Sequence, residues 1–319
     1  MENTFTGIIT KGVGGLYTVR PHLDSDREYV CRARGALRHE KITPVPGDAV
    51  EAEFCEESAK PDERSGAAGV ITRILPRKNC LVRPAMANLA HMLVTVPASS
   101  PKPDLTYVDK LTVIADALGI DCTVIVNKCD LAPDFASDVA SEYRAAGFRV
   151  FCTDAVSGEG CGELSDFLCG HVGIAAFAGA SGAGKSSLTG RLFPFLSPEV
   201  GQVSRKTERG RHTTRAVEIY PTGVDGLFIA DTPGFSMLDF RRFDFFEAER
   251  LPSAFREFAP YLASCRYTDC THTKEEECAV LSAVKSGAIS PRRHESYVRL
   301  YSDMREKPEW QRRQEKEDG

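Results

Sequence analysis

The sequence predicts a multidomain α/β chain in three parts: a small N-terminal β-barrel, a central parallel α/β sheet, and a mainly helical C-terminal part around a Cys/His cluster. Three observations carry this. Short strand-like runs separated by turn residues fill residues 1–72. Continuous apolar runs alternating with helical patterns occupy 73–240. Strand patterns then stop, and charged helical segments over 241–319 are interrupted by three cysteines and a histidine.

In the first part, residues 7–10, 16–19, 29–33, 49–54 and 69–74 read as strands. Gly12-Val13-Gly14-Gly15, Pro21 and Pro46-Gly47-Asp48 supply the turns between them. Five short strands in so small a domain point to a barrel, with the OB-fold as the obvious candidate. Residues 56–66 are polar and read as a loop. OB-folds commonly bind nucleic acid across one face. Arg32, Arg34, Arg38 and Lys41, grouped around His39, are the candidate contacts to RNA phosphates.

In the second part, 90–96 and 122–126 are unbroken apolar runs, the pattern of strands buried on both faces. Residues 105–118 between them read as an amphipathic helix. Residues 174–178 lead into a glycine-rich loop, and 227–230 lead into Asp231-Thr232-Pro233-Gly234. Strands alternating with helices imply a doubly wound sheet.

Composition sets outer limits. The chain has 319 residues, 42% hydrophobic and 27% charged, which is ordinary for globular domains. No apolar run approaches the roughly 20 residues of a membrane span, and residues 1–5 do not open like a signal peptide. A cytoplasmic protein without membrane contact is the expectation. The 11 cysteines are odd in number and thinly spread, unlike a disulfide framework. Cys31, Cys55, Cys80, Cys122, Cys129, Cys152, Cys161 and Cys169 lack metal-like spacing and read as small buried hydrophobes. A net charge of −5 confines any RNA binding to local basic patches.

The glycine-rich loop is Gly179-Ala180-Ser181-Gly182-Ala183-Gly184-Lys185-Ser186, which reads G-x-x-x-x-G-K-S. An apolar strand precedes it and a helix-compatible run opening at Ser187 follows, the context a phosphate-binding loop requires. Backbone N–H groups would close on the β-phosphate, with Ser187 at the start of a helix whose N-terminus favours anions. Lys185 would reach the β- and γ-phosphates, and the Ser186 hydroxyl would ligate Mg²⁺. The Asp231 carboxylate can hold Mg²⁺ through water, and the Gly234 N–H can sense the γ-phosphate.

Asn127-Lys128-Cys129-Asp130 reads N-K-x-D at the end of its own apolar strand. The Asp130 carboxylate can accept from guanine N1–H and N2–H₂ together. Adenine has no such donor pair and would leave a desolvated carboxylate unpaired, so GTP is favoured over ATP. Lys128 can lie over the base and Asn127 can tie neighbouring loops. A further base loop, usually S-A-K, is matched by Thr153-Asp154-Ala155, where only the Ala155 N–H, aimed at guanine O6, survives the change.

Cys265-x4-Cys270-x-His272-x5-Cys278 offers three thiolates and one imidazole, a complete tetrahedral set of the closed structural kind. One structural Zn²⁺ is the expected ion, stapling a part whose own core is small.

The order of these motifs is unusual. N-K-x-D precedes G-x-x-x-x-G-K-S, which precedes R-H-T-T and then D-T-P-G. This order resembles that of circularly permuted GTPases, and within them the RsgA (YjeQ/YloQ) family of bacterial small-ribosomal-subunit biogenesis GTPases, over nearly the whole chain. The resemblance implies an OB-fold over 1–72, a permuted GTPase domain over 73–240 and a zinc-binding helical domain with a charged tail over 241–319. It implies a GTP hydrolase acting on the small ribosomal subunit and its 16S rRNA, as a monomer, with Mg²⁺ accompanying GTP. The competing readings are a zinc-stapled RNA-binding module that uses nucleotide only as a regulatory ligand, and a P-loop kinase or ATPase. N-K-x-D and the rotated order argue against the last.

The segment 205–215 matches the family's first switch and holds five Arg/Lys against one Glu. Arg205, Lys206, Arg209 and Arg211 are candidate RNA contacts within it. Thr213 or Thr214 could place a hydroxyl on Mg²⁺; the sequence does not decide which, and Thr214 is preferred. Many GTPases orient the attacking water with a Gln just after the D-x-x-G turn, but Phe235 stands there. Hydrolysis should therefore be slow alone and stimulated by the ribosome. In the family a first-switch histidine is the suggested substitute, which here is His212. Permutation also runs the γ-phosphate sensor straight into the C-terminal part, so nucleotide state could pass directly to it.

Overall fold

The computed structural model describes residues 4–22, 27–35, 43–55, 68–196, 217–232 and 248–305. Thirteen strands are described: β1 Thr4–Val13, β2 Leu16–Arg20, β3 Tyr29–Ala33, β4 Ala49–Phe54, β5 Gly69–Ile74, β6 Cys80–Val82, β7 Ala85–Ala87, β8 Leu89–Pro97, β9 Asp121–Asn127, β10 Arg149–Thr153, β11 Gly173–Ala178, β12 Glu218–Pro221 and β13 Leu227–Asp231. Six α-helices accompany them: α1 Leu105–Ala117, α2 Pro133–Ala145, α3 Cys161–Cys169, α4 Lys185–Leu192, α5 Ala279–Lys285 and α6 Pro291–Arg305. The chain divides into two compact units, one of Met1–Leu93, Ala155–Ala178 and Lys185–Ser236, the other of Val94–Asp154, Gly179–Gly184 and Met237–Gly319.

The first unit holds a closed five-stranded barrel. β1 pairs antiparallel with β2 and with β4, β2 with β3, and β4 with β5, while β3 runs parallel to β5. The strands alternate buried and half-buried residues, as one-sided burial requires. Ile9, Val19, Cys31, Val50, Ala52 and Ile71 fill the interior. A register shift between Ile9 and Lys11 bends β1, so that Lys11 pairs with Glu218 of β12 in both ladder and side chain (Nζ–Oε2 3.1 Å). Beyond the barrel, β12 is antiparallel to β13, which is parallel to β11. β11 and β13 are buried almost end to end, as central parallel strands should be.

In the second unit, β9 lies between β8 and β10 and pairs parallel with β10. Asp104 caps α1 by accepting from the Tyr107 N–H (3.0 Å), and Pro133 opens α2 where no backbone donor is needed. Among the described residues, the C-terminal part has three 3₁₀ turns (Ala248–Ala254, Arg256–Phe258 and Leu262–Ser264) before α5 and α6. Phe255, Phe258 and Tyr297 pack together with ring centroids 5.0–5.3 Å apart.

A charged cluster lies within this unit. Arg293 is fully buried; its Nη1 donates to Asp109 Oδ1 (2.6 Å) and its Nε to Glu257 Oε1 (2.5 Å). Arg292 donates to Asp109 Oδ2 (2.7 Å) and Glu142 Oε2 (2.8 Å), and the Tyr143 hydroxyl to Asp109 Oδ1 (2.7 Å). α6 is thereby bonded to α1 and α2, which flank β9.

Among the cysteines without metal-like spacing, Cys31, Cys122 and Cys161 are buried as expected, but Cys55 and Cys169 are exposed and Cys80, Cys129 and Cys152 half-buried. Uniform burial does not hold, because several of these residues end an element or lie just beyond one rather than on a core face.

Candidate guanine-nucleotide and metal sites

The N-K-x-D and glycine-loop residues meet in the second unit. Asn127 ends β9 fully buried, and its Nδ2 donates to the Ala183 carbonyl (3.0 Å). Thr153, ending β10, donates from Oγ1 to Asn127 Oδ1 (3.2 Å), which fixes the amide's orientation. Lys128 adopts a left-handed conformation (φ 63°, ψ 40°) and turns the chain out of the sheet. Its Nζ donates to the Ser100 (2.6 Å) and Gly182 (2.9 Å) carbonyls. Asp130 follows, exposed, in the short 3₁₀ turn Cys129–Leu131. Asp154 is buried and Ala155 half-buried.

The loop's glycines answer to steric limits. A Cβ on Gly179 (φ 141°) would lie 2.2 Å from the Thr95 carbonyl oxygen. One on Gly184 (φ 94°) would lie 2.1 Å from Asn127 Nδ2, where the hydrogen bond to Ala183 forms.

The first unit holds the residues expected at the phosphates and Mg²⁺. Lys185, Ser186 and Ser187 open α4. Burial pushes the Lys185 amine below its ordinary range. Arg191 on α4 donates to the Ser157 carbonyl (2.9 Å), holding the helix to the loop after Ala155. β11 and β13 run parallel with Ala176 level with Ala230, so Asp231 ends its strand one residue past that pair, exposed. Thr232 Oγ1 lies 3.5 Å from the Phe177 carbonyl oxygen. Carboxyl ends of parallel strands are where α/β sheets bind ligands.

The Cys/His cluster is compact. One ligand atom from each of Cys265, Cys270, His272 and Cys278 lies within 4.8 Å of the others. Cys265 and Cys278 sulfurs are 3.8 Å apart, and His272 Nδ1 is 3.5 and 3.4 Å from them. Tetrahedral Zn²⁺, with Zn–S about 2.3 Å and Zn–N about 2.0 Å, has S···S edges of about 3.8 Å and S···N edges of about 3.5 Å. The donor set therefore fits that ion. Burial pushes the Cys270 thiol up to about 12 and His272 below the usual imidazole range. The imidazole is then held in its neutral, ligating form, and a bound cation would reverse the thiol shift. Glu275 clasps the intervening turn, accepting from the Thr271 hydroxyl and from the Thr271 and Thr273 N–H groups (both 3.0 Å). The Tyr297 hydroxyl donates to the Thr271 carbonyl (2.5 Å).

On the barrel, Arg32 and Arg34 are exposed, and Arg34 lies 3.8 Å from Glu53. Arg38, Lys41, Arg205, Lys206, Arg209, Arg211, His212, Thr213, Thr214, Gly234 and Phe235 lie outside the described residues. Reading by motif missed the Arg292–Arg293–Asp109 cluster; the adjacent arginines at the start of α6 were its only trace in the sequence.

An N-terminal barrel, a P-loop sheet whose base-reading motif precedes its phosphate loop, and a Cys₃His-bearing helical end define a circularly permuted GTPase. The RsgA GTPase family model matches residues 74–241, and the RsgA N-terminal domain model matches 6–60. Small ribosomal subunit biogenesis GTPase RsgA of Ruminiclostridium cellulolyticum is 36% identical over 304 residues, 95% of each chain. That of Geobacillus thermodenitrificans is 36% identical over 305 residues, 94% of this chain and 98% of the relative. The crystal structure of YjeQ from Thermotoga maritima matches with TM-score 0.76 at 29% identity, covering 96% of this chain and 100% of that one. YloQ, a circularly permuted GTPase, matches with TM-score 0.72 at 28% identity over 96% of both. The chain belongs to the RsgA GTPase family.

Proposed function

We propose that this GTPase binds the small ribosomal subunit and assists its late maturation, hydrolysing GTP to GDP and phosphate slowly alone and faster on the subunit. Family membership makes the chain a GTP hydrolase of ribosome biogenesis. The observation that carries the nucleotide reading is the pair of bonds from Asn127 to Ala183 and from Lys128 to Gly182. They join motifs more than fifty positions apart, in the order opposite to that of most P-loop GTPases.

In this reading Asp130 accepts from guanine and the Ala155 N–H meets its O6. Residues 179–187 hold the phosphates, with Lys185 on the β- and γ-phosphates. Ser186, Asp231 and one of Thr213 or Thr214 hold Mg²⁺, which when bound neutralises charge on the phosphate oxygens. His212 orients the attacking water in place of the glutamine absent at Phe235. Gly234 reads the γ-phosphate. Residues 1–72, 73–240 and 241–319 act as RNA-binding barrel, GTPase domain and zinc-stapled helical domain, with Zn²⁺ on Cys265, Cys270, His272 and Cys278. Arg32, Arg34, Arg38, Lys41, Arg205, Lys206, Arg209 and Arg211 meet 16S rRNA phosphates. The protein works as a cytoplasmic monomer; no described helix is long and apolar enough to cross a membrane.

The test is nucleotide turnover with and without purified small subunits. GTP turnover is expected to rise on the subunits while ATP is left intact, and His212→Ala should abolish the rise with GDP affinity kept. ATP turnover equal to GTP turnover would sink the reading, and an unchanged stimulated rate in the variant would remove His212 from it.

A further inference from the structure

Two thiols lie at the guanine-reading edge with no part in the chemistry above. Cys129 stands between Lys128 and Asp130. Cys152 is on β10, where the ladder pairs it with Val126 of β9. Cys129 Sγ lies 3.1 Å from the Val126 carbonyl oxygen, folded back over the residue beside which Cys152 sits. Both thiols are thus placed at Val126, and Arg144 is the cation whose charge acts on Cys152. Arg144 is held in turn by the Val150 carbonyl (3.2 Å). Both cysteines are half-buried, so a small oxidant can reach them.

We propose that Cys129 and Cys152 close a reversible disulfide that weakens guanine-nucleotide binding, an inference resting on the reading of Asn127, Lys128 and Asp130 as the guanine site. Cys129, and after it the Arg144 charge, hold the Cys152 thiol below its ordinary range against the opposing effect of burial. Cys152 is therefore the more readily ionised of the two and the attacking thiol. The oxidant is a hydroperoxide. The Cys152 thiolate attacks its terminal oxygen, the O–O bond breaks, and a sulfenic acid forms with release of water or alcohol. Cys129 sulfur then attacks the sulfenic sulfur, the S–O bond breaks, and the leaving hydroxide takes the Cys129 proton as water. With hydrogen peroxide, two thiols and one peroxide give one disulfide and two waters.

Closure brings the sulfurs to about 2.05 Å. Cys129 must leave the Val126 carbonyl, and its two peptide neighbours, Lys128 and Asp130, shift with it. Lys128 is already in a left-handed conformation with its Nζ bonded twice, so it has little room to adjust. Linkage makes the effect reciprocal: what the disulfide costs in GDP affinity, GDP returns as resistance to closure.

The experiment treats the full zinc-loaded chain with hydrogen peroxide, maps disulfides by peptide mass, and measures GDP affinity before oxidation, after it, and after dithiothreitol. We expect a Cys129–Cys152 cross-linked peptide, GDP binding weakened about tenfold or more and restored by reductant, and no weakening in Cys152→Ala or Cys129→Ser. A tenfold effect also predicts that saturating GDP, by favouring the dithiol, raises the pair's reduction potential relative to the free protein by about 30 mV. Failure to find that peptide, or a cross-linked protein binding GDP within about twofold of the reduced one, overturns the switch while leaving the guanine site intact. Weakening that persists in Cys152→Ala also overturns it and points to the zinc thiols. A reduced chain that binds no GDP removes the guanine reading itself, and the switch with it.

Discussion

The N-terminal barrel and the C-terminal helical part solve the same problem by different means. In the barrel, neighbouring strands pair backbone to backbone around an apolar interior from Ile9 to Ile71. Among its charge pairs, Arg77 Nε donates to the buried Asp48 carboxylate (2.7 Å). Among the described residues, the C-terminal part has three 3₁₀ turns and two helices, so fewer backbone groups are paired within elements. Side chains supply the missing constraints: four metal-type ligands, the Glu275 clasp and the buried arginines. A ladder distributes stability over many small contributions. A ligand set concentrates it in a few groups, and loss of one should be felt throughout the part.

The largest break should come from the ligands. Chelation of zinc, or Cys278→Ser, removes a term of order 10 kcal/mol in small zinc domains. Hydrogen exchange over 265–301 should rise toward the unfolded rate while the barrel amides stay protected; equal protection before and after would show that no metal supports this part.

Next is Asp109→Ala. It strips the buried Arg293 of one of its two carboxylates and Arg292 of a partner. Removing one member of a buried ionic cluster typically costs about 3–5 kcal/mol. Urea unfolding should show a loss of that order. Replacing Asp109, Arg292 and Arg293 together by apolar residues should recover part of it if the loss reflects stranded charge rather than lost packing.

Smallest is Ile71→Ala in the barrel, expected to cost about 2–4 kcal/mol through transfer and cavity terms. The loss should be confined to the barrel's own unfolding transition. Complete unfolding of the barrel at room temperature would mean that its stability is not distributed.

Motif context carried much of this protein in one dimension. The N-K-x-D and G-x-x-x-x-G-K-S sequences each sit at a strand end, and that position is written in the apolar runs before them. The barrel strands at 29–33, 49–54 and 69–74 were legible because turn residues bound them and their burial alternates. β6, β7 and β12 are three or four residues long and carry too little period to stand out.

What the chain's order alone determined is which motifs are present: N-K-x-D, G-x-x-x-x-G-K-S, D-T-P-G and a Cys₃His set, rotated in a way that marks the family. Only the tertiary structure decided which of them touch. Asn127 bonding Ala183 and Arg293 buried on Asp109 and Glu257 join residues from 36 to 184 positions apart. Local propensity says nothing at such separations. Strand register and helix docking set those meetings, because burying apolar strand faces fixes which polar strand ends are left side by side.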